Sequence, residues 1–349
     1  MPVLDKQNIE EVERYTDFVS SHPNKSLLQD ISWALVKSEW KSEYVYIERD
    51  NEIVAAMSIL IRSIPGGYTL FYAPRGPICD LYDMNLLKEL IEEVKDLAKK
   101  YKAFVLKMDP EVTYTNELND LLIKNGFKVK NRNAELESMI QLRNNMIVNL
   151  EGSDEESIMM RFTGKLRTKI RSSIKKGVYT SWDVSDEYIE KFYEVYSIMS
   201  KRNKINQRNI EYFYQMRDAL GDKLRIYLTH HEDDILSVAI AVNYNGKVYY
   251  LYSGSNDIKR NLHANSMMNY DIMKWGIESG ASQYDFGGVL NMDEHDGLYQ
   301  FKRPFCHKDG VTEYIGEIDF VYNRFLFFLY NNVLPVMQKL KKKFANSSR

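Results

Sequence analysis

The sequence predicts an α/β protein whose mixed sheets come from one structural unit written twice. Two observations carry this. Each half contains β-rich runs joined by tight turns, Asp50-Asn51 in the first and Asn245-Gly246 in the second. The Asn-Gly dipeptide is a strong hairpin signal, because both of its positions tolerate positive φ. Each half then passes through strand, helix and strand, the order that places two parallel strands on either side of a crossover helix.

The elements follow in chain order. EYVYIERDNEIVAAMSILIRS reads as two strands around Asp50-Asn51, and GYTLFYAPRGPI as a third. The helix LLKELIEEVKDLAKKY and the strand AFVLKMDP complete the first half. Between the halves lies SDEESIMMRFTGKLRTKIRSSIKKGV, read as a helix that starts at Ser153-Asp154-Glu155 and ends at Gly177. The helix EYIEKFYEVYSIMSKRN precedes QRNIEYFYQMRDAL. KLRIYLTHHEDDILSVAIAVNYNGKVYYLYSGSN gives strand, acidic turn, strand, Asn-Gly turn and strand. The helix NSMMNYDIMKWGIES and the strand QYDFGG end the second half. Hairpin strands followed by strand–helix–strand, in both halves, point to two tandem GNAT-like (acetyltransferase-type) domains. The expected division assigns 1–145 with about 313–349 to the first domain and 146–312 to the second. The strand-like EYIGEIDFVYN would return to the first.

Bulk properties narrow the function. A chain of 349 residues is comfortable for two domains, and 44% hydrophobic residues suffice for real cores. A net charge of -2 excludes a global field for nucleic acid, so any basic footprint is local. Cys79 and Cys306 lie far apart and suit a reducing cytoplasm with both thiols free. The start is acidic and amphipathic, unlike a signal peptide. No window reaches the roughly 18–20 apolar residues of a membrane span. The C-terminal FLFFLYNNVLPVMQKLKKKF sets Phe325–Tyr330 ahead of Lys339, Lys341, Lys342 and Lys343. It could lie on an anionic membrane surface; a helix packed on the body with a solvated basic tail is the favoured alternative.

Three groups of residues could carry chemistry. From Arg161 to Lys176 there are seven cations and no carboxylate. On one continuous helix, Arg161, Lys165 and Lys169 would recur every four residues and offer a basic stripe to phosphates. The alternative is a solvated helix paired with acids elsewhere. Lys302 lies between Phe301 and Arg303, framed by Tyr299 and Phe305. An amine near apolar rings suits a phosphate contact or a developing oxyanion; a lysine of an edge strand flanked by core aromatics is the alternative. If QRNIEYFYQM is helical, Arg208 and Tyr212 stand one turn apart and could grip a phosphate or carboxylate, although tyrosine-rich helices are more often core.

Other patterns exclude chemistry. His230-His231 with Glu232, Asp233 and Asp234 sits at a hairpin turn, and adjacent strand residues face opposite ways, so no metal site is expected there. No Ser-His-Asp arrangement, Walker loop or Rossmann fingerprint occurs. APRGPICD and SGSNDIKRNLHAN lack the glycine-rich run that opens backbone N–H groups to the CoA pyrophosphate. CoA is therefore a poor donor, and the basic helix suggests RNA. No cofactor and no metal are expected.

YAPRGP (Tyr72–Pro77), KLRTKIRSSIKKGV, YLYSGS (Tyr250–Ser255), the Trp275-Gly276 helix, YDFGG (Tyr284–Gly288), GLYQFKRPF and EYIGEIDF occur in this order. Together they resemble the Fem (FemABX) peptidyltransferases from about Leu28 to Phe320. The resemblance implies transfer of an amino acid from aminoacyl-tRNA to the third-position amine of the peptidoglycan stem peptide, carried by UDP-MurNAc-pentapeptide or lipid II. It places Arg208, Tyr212, Tyr252 and Lys37 at the pyrophosphate side of the acceptor. It places Lys302 and Phe301 at the reaction centre near the tRNA acceptor end; Arg161, Lys165 and Lys169 of the basic stripe described above are the expected tRNA contacts. Some members carry a long coiled-coil arm in the second domain; 187–223 is too short for one, which makes this the compact form.

Overall fold

The structure, a computed structural model, describes residues 3–333. Helix α1 (Ile9–Ser21) starts where the Asn8 side chain accepts from Glu11 N, and α2 (Ile31–Val36) starts where Asp30 accepts from Ser32 N. Strands β1 (Lys41–Arg49) and β2 (Glu52–Ile64) form the expected hairpin, with φ of 52° at Asp50 and 66° at Asn51. Strand β3 (Tyr68–Ala73) is antiparallel to β2. Helix α3 (Met84–Lys100) buries Leu87, Leu90, Ile91 and Val94 on its apolar face, and β4 (Ala103–Met108) then runs parallel to β3. Helix α4 (Asn116–Lys124) and strand β5 (Lys128–Lys130) follow.

The next segment builds a second sheet. It contains β6 (Asn144–Asn149), α5 (Glu155–Arg161), α6 (Gly164–Lys175), β7 (Tyr179–Asp183), α7 (Asp186–Asn203) and α8 (Ile210–Leu220). Strands β8 (Leu224–His231), β9 (Asp234–Tyr244) and β10 (Lys247–Ser255) form a meander. Helix α9 (Ala264–Glu278), strand β11 (Gln283–Gly288), helix α10 (Gly297–Lys302) and strand β12 (Thr312–Glu313) complete it. The chain ends its described part with β13 (Glu317–Val321), α11 (Arg324–Phe328) and a π-helical turn, Leu329–Val333.

The first sheet has the order β1-β2-β3-β4-β13-β5, and the second β12-β6-β11-β10-β9-β8-β7. Laid side by side they repeat one pairing pattern. In the first, β3 and β4 are parallel and β13 and β5 add antiparallel neighbours. In the second, β10 and β11 are parallel and β6 and β12 add antiparallel neighbours. Strand β7 is an addition outside the repeated unit. The structure is a mixed α/β fold of the expected class.

Several expectations change. Contacts divide the chain into Met1–Glu135 with the segment from Ile315, and Leu136–Tyr314. The cut falls before residue 145 because β6, beginning at Asn144, pairs with β11 and β12. EYIGEIDFVYN is not one strand: its Glu313 ends the strand Thr312–Glu313 of the second sheet, and after Gly316 at φ 95° it forms Glu317–Val321 of the first. The basic helix is broken. Phe162 and Thr163 are extended, with ψ of 158° and 150°, so Arg161 ends α5 while Lys165 and Lys169 lie on α6. Burial of Phe162 against Tyr270 and Phe305 explains the break. Lys339, Lys341, Lys342 and Lys343 lie outside the described residues.

Candidate functional site

The second sheet opens where its two parallel strands part. Strand β10 pairs with β11 only from Lys247 to Tyr249, while in the first sheet β3 pairs with β4 from Thr69 to Ala73. Past Tyr249 the strands diverge, and a cavity of about 870 Å³ lies there. Its walls include Tyr250, Ser253 and Ser255 of β10, Phe286 of β11, Met199 and Arg202 of α7, and Phe301 and Lys302 of α10. Gly254 lets α7 approach β10: a Cβ there would stand 2.9 Å from Tyr196 Cα.

Lys302 ends α10, whose first turn is fixed by the Asp296 carboxylate accepting from Tyr299 N. Its amine donates to Gly288 O at 2.8 Å and Gly287 O at 3.3 Å. Gly287 has φ 76°, a conformation that glycine adopts without strain, and this turns the end of β11 toward the amine. Burial pushes the Lys302 amine down to about 8, opposed by Asp285, Cys306 and Asp296. The nearby Asp285 carboxylate is held by Lys247 at 2.9 Å and by Asn145. Phe301 packs on Phe286 and Phe305. Lys302 is therefore a helix-borne lysine at a cavity wall and not a residue of an edge strand.

The structure also brings Arg208, Tyr212 and Tyr252 together. Arg208 precedes α8, which Asn209 caps, so the pair does not share a helical turn. The guanidinium nonetheless lies 5.0 Å from the Tyr212 ring centroid. Tyr252 Oη donates to Tyr212 Oη at 3.1 Å, and burial raises the Tyr252 phenol against the opposing effects of Tyr212 and Arg208. A register shift between Tyr250 and Tyr252 explains the arrangement. One extra residue sends Tyr250 toward Tyr284 and Phe286, and Tyr252 toward Tyr196, Tyr212 and Phe213.

Lys37 belongs to the first unit, where it caps α2 with its amine 5.1 Å from the Trp33 ring centroid. Arg161 is ion-paired with Asp309, so its charge is compensated. Lys165 and Lys169 are exposed on α6. At the His-rich turn, Lys259 pairs with Glu232 at 2.5 Å and Asp234 at 2.9 Å. Among the described residues no group of three His, Cys, Asp or Glu side chains is placed to hold a metal ion.

Sequence reasoning missed two features. In the first unit, Asp109 is a buried carboxylate that accepts from Tyr72 Oη at 2.7 Å and Arg75 N at 2.6 Å. Burial pushes it up to about 6, with Arg75 the first opposing influence. An aspartate directly after the apolar strand AFVLKM was the available signal, and YAPRGP supplies its partners. In the second unit, the turn at residues 260–265 carries Arg260, His263 and Asn265 onto a smaller cavity, and nothing in its local sequence marks that convergence.

Known proteins align with the whole of this architecture. The FemAB family model matches residues 10–232 and 228–334. The UDP-N-acetylmuramoylpentapeptide-lysine N(6)-alanyltransferase of Weissella viridescens is 36% identical over 325 residues, 91% of this chain and 96% of the relative. Lipid II:glycine glycyltransferase of Staphylococcus haemolyticus (strain JCSC1435) is 30% identical over 418 aligned residues, covering 98% of this chain and 99% of the relative. That alignment is longer than this chain, so the relative carries insertions that the shorter chain lacks. The crystal structure of FemX superposes with a TM-score of 0.84 at 26% identity, covering 92% of this chain and 98% of that one. A tandem GNAT protein from the clavulanic acid pathway, at a TM-score of 0.55 and 10% identity, shares the fold.

Proposed function

The chain belongs to the FemAB family, and from that premise we propose that it transfers an amino acid from aminoacyl-tRNA to the third-position amine of the peptidoglycan stem peptide. The acceptor is UDP-MurNAc-pentapeptide or lipid II, the substrates for which its relatives are named. One observation carries the reading most: a buried lysine amine, held by two glycine carbonyls, at the wall of an aromatic-lined cavity.

The chemistry needs little more. An aminoacyl ester is already activated, so the acceptor amine attacks its carbonyl directly. The C–N bond forms, the C–O bond to the ribose breaks, and the ribose oxygen leaves with a proton. Holding the two reactants together supplies roughly 7–11 kcal/mol of the barrier reduction. Lys302 supplies positive charge to the tetrahedral oxyanion or to the adjacent tRNA phosphate. Phe301 forms the apolar wall beside it. Arg208, with Tyr212 and Tyr252, offers a cationic and hydroxyl-bearing grip for the acceptor's pyrophosphate. On the donor side Lys165 and Lys169 offer exposed charge with no ion pair among the described residues, while Arg161 is paired with Asp309.

Exposed Phe325 and Phe328 support a peripheral contact with the inner membrane face, and the lysines at 339 and 341–343 in the sequence add charge for it. No helix among the described residues is long and apolar enough to cross a membrane. The deciding experiment offers the purified protein labelled aminoacyl-tRNA, labelled acetyl-CoA and UDP-MurNAc-pentapeptide. Label passing from tRNA to the muropeptide is the expected result. Label passing from CoA would make this a GNAT-type N-acyltransferase and overturn the reading.

A further inference from the structure

Beside the Lys302 cavity lies a smaller one of about 220 Å³, which shares Ser255, Asn265 and Phe301 with it. Lys169, Lys259, Arg260 and His263 line it, with no Asp or Glu among its described lining residues. Lys259 is neutralised by Glu232 and Asp234. Lys169 and Arg260 have no carboxylate partner among the described residues. Their positions are set by packing, because Ser173 Oγ on α6 donates to Leu262 O at 2.5 Å and ties the helix to the turn. Burial, followed by the charges of Lys169 and Lys176, holds His263 below the ordinary imidazole value, as a positive local field would. On the shared wall, the enclosed Asn265 Oδ1 has no hydrogen-bond partner among the described residues. An amide oxygen so placed accepts from a hydroxyl.

We propose that this smaller cavity seats a phosphate of the donor's RNA end, so that the ester end reaches Lys302 next door. The inference rests on the aminoacyl-tRNA reading above. A nucleotide fits both cavity features: its phosphate meets Lys169 and Arg260, and one sugar away its hydroxyl meets Asn265. Uncompensated cations around a small cavity select an anion, and phosphodiesters bound this way release counterions. The pyrophosphate of a nucleotide-linked acceptor has the same chemistry, so the test separates the two sources.

The test measures binding of an uncharged, single-stranded RNA with the tRNA 3′-terminal sequence to the full chain by fluorescence anisotropy over a salt series. Lys169→Ala and Arg260→Ala are compared with wild type, and thermal unfolding confirms that these surface variants are folded. Each should weaken RNA binding about tenfold or more, as loss of a charged hydrogen bond does. Each should also make the slope of log affinity against log salt shallower by about 0.7, one single-strand phosphate contact. The Michaelis constant for UDP-MurNAc-pentapeptide should not change. Wild-type affinity and slope in both variants would overturn this inference and leave the donor reading standing. A raised acceptor constant with unchanged RNA affinity would assign the cavity to the acceptor and overturn it too. Wild-type protein that binds no RNA at any salt would remove the inference and the donor reading together.

Discussion

At the scale of single residues, Lys302 shows what activity asks of stability. Burial lowers its amine from 10.5 to about 8, so below about pH 8 the folded protein carries a charge that the interior disfavours. The sign follows from linkage. The folded pKa is the lower one, so the penalty is fully present below it and disappears as pH rises to the unfolded value. The shift corresponds to about 3 kcal/mol, reduced in Lys302→Met by the two carbonyls left unpaired. That variant should gain about 1–3 kcal/mol at pH 7 in denaturant unfolding, with the gain shrinking between pH 8 and 10.5. Equal stability at pH 7 would remove the argument. Its activity should be lost: Lys302→Ala lowers turnover by about two orders of magnitude or more if the cation faces the oxyanion, and near-normal turnover would reject that role. The pH profile adds a second check. The attacking amine must be neutral, so turnover rises with pH, while Lys302 loses its charge above about 8. Turnover should level off near pH 8 in wild type and continue to rise in Lys302→Arg, whose charge does not titrate there.

Arg208 separates binding from chemistry. Its guanidinium lies over the ring of Tyr212, whose hydroxyl accepts from Tyr252 Oη, and it is not among the groups that hold the Lys302 amine. Arg208→Ala should raise the acceptor's Michaelis constant about tenfold or more, as loss of a charged contact does, with a modest fall in turnover at saturation. An unchanged constant in steady-state kinetics would exclude a grip on the acceptor. The aromatic and cationic character of both places is visible in the sequence, since GLYQFKRPF and QRNIEYFYQM name their own residues. The Gly287 and Gly288 carbonyls that hold Lys302 are supplied by the fold, and no local pattern reveals them.

At the scale of elements, periodicity was a good guide wherever side chains alternated or repeated without interruption. The β1–β2 hairpin, α3 and the β8–β10 meander follow from it. It failed where one residue changes the phase. The extra residue between Tyr250 and Tyr252 puts two tyrosines of one short motif on opposite faces of a strand, which plain alternation would place together. The break between α5 and α6 hid behind an unbroken run of positive charge, although Thr163-Gly164 is a plausible helix start. Gly254 shows how an element contact sets the site. An added methyl there would meet Tyr196 Cα at 2.9 Å, Tyr196 N at 3.1 Å and Val195 O at 3.2 Å, all backbone of α7. Gly254→Ala should therefore push α7 from β10 and cost about 1–3 kcal/mol. Because Met199 and Arg202 of α7 line the same cavity as Ser253 and Ser255, turnover should fall with stability. A variant with wild-type melting temperature would show that α7 yields without cost.

At the scale of the whole molecule, the duplicated plan is written into the sequence order, and so is the strand EYIGEIDFVYN that returns to close it, but not its place between β4 and β5. Every strand of the second sheet, β6 to β12, lies within 136–314. The first sheet is completed only after the second has been built, when β13 enters between β4 and β5. That entry satisfies a buried cation: Lys107 on β4 reaches Glu317 at 3.1 Å and Asp319 at 2.7 Å, with all three side chains nearly inaccessible. Without β13 the lysine keeps its charge and loses its partners, a loss that costs about 3–5 kcal/mol when one side of a buried pair is removed. β5 would also lose the neighbour with which it pairs. A fragment of residues 1–135 should therefore show no cooperative thermal unfolding by circular dichroism, whereas 136–314 should unfold cooperatively. Joining 1–135 to 315–333 through a short flexible linker should restore the transition, because Gly316 already lies against Lys130 O and Asn131. A cooperative transition in 1–135 alone would mean that the first sheet holds together without its returning strand, and the buried Lys107 network would then not be what closes it.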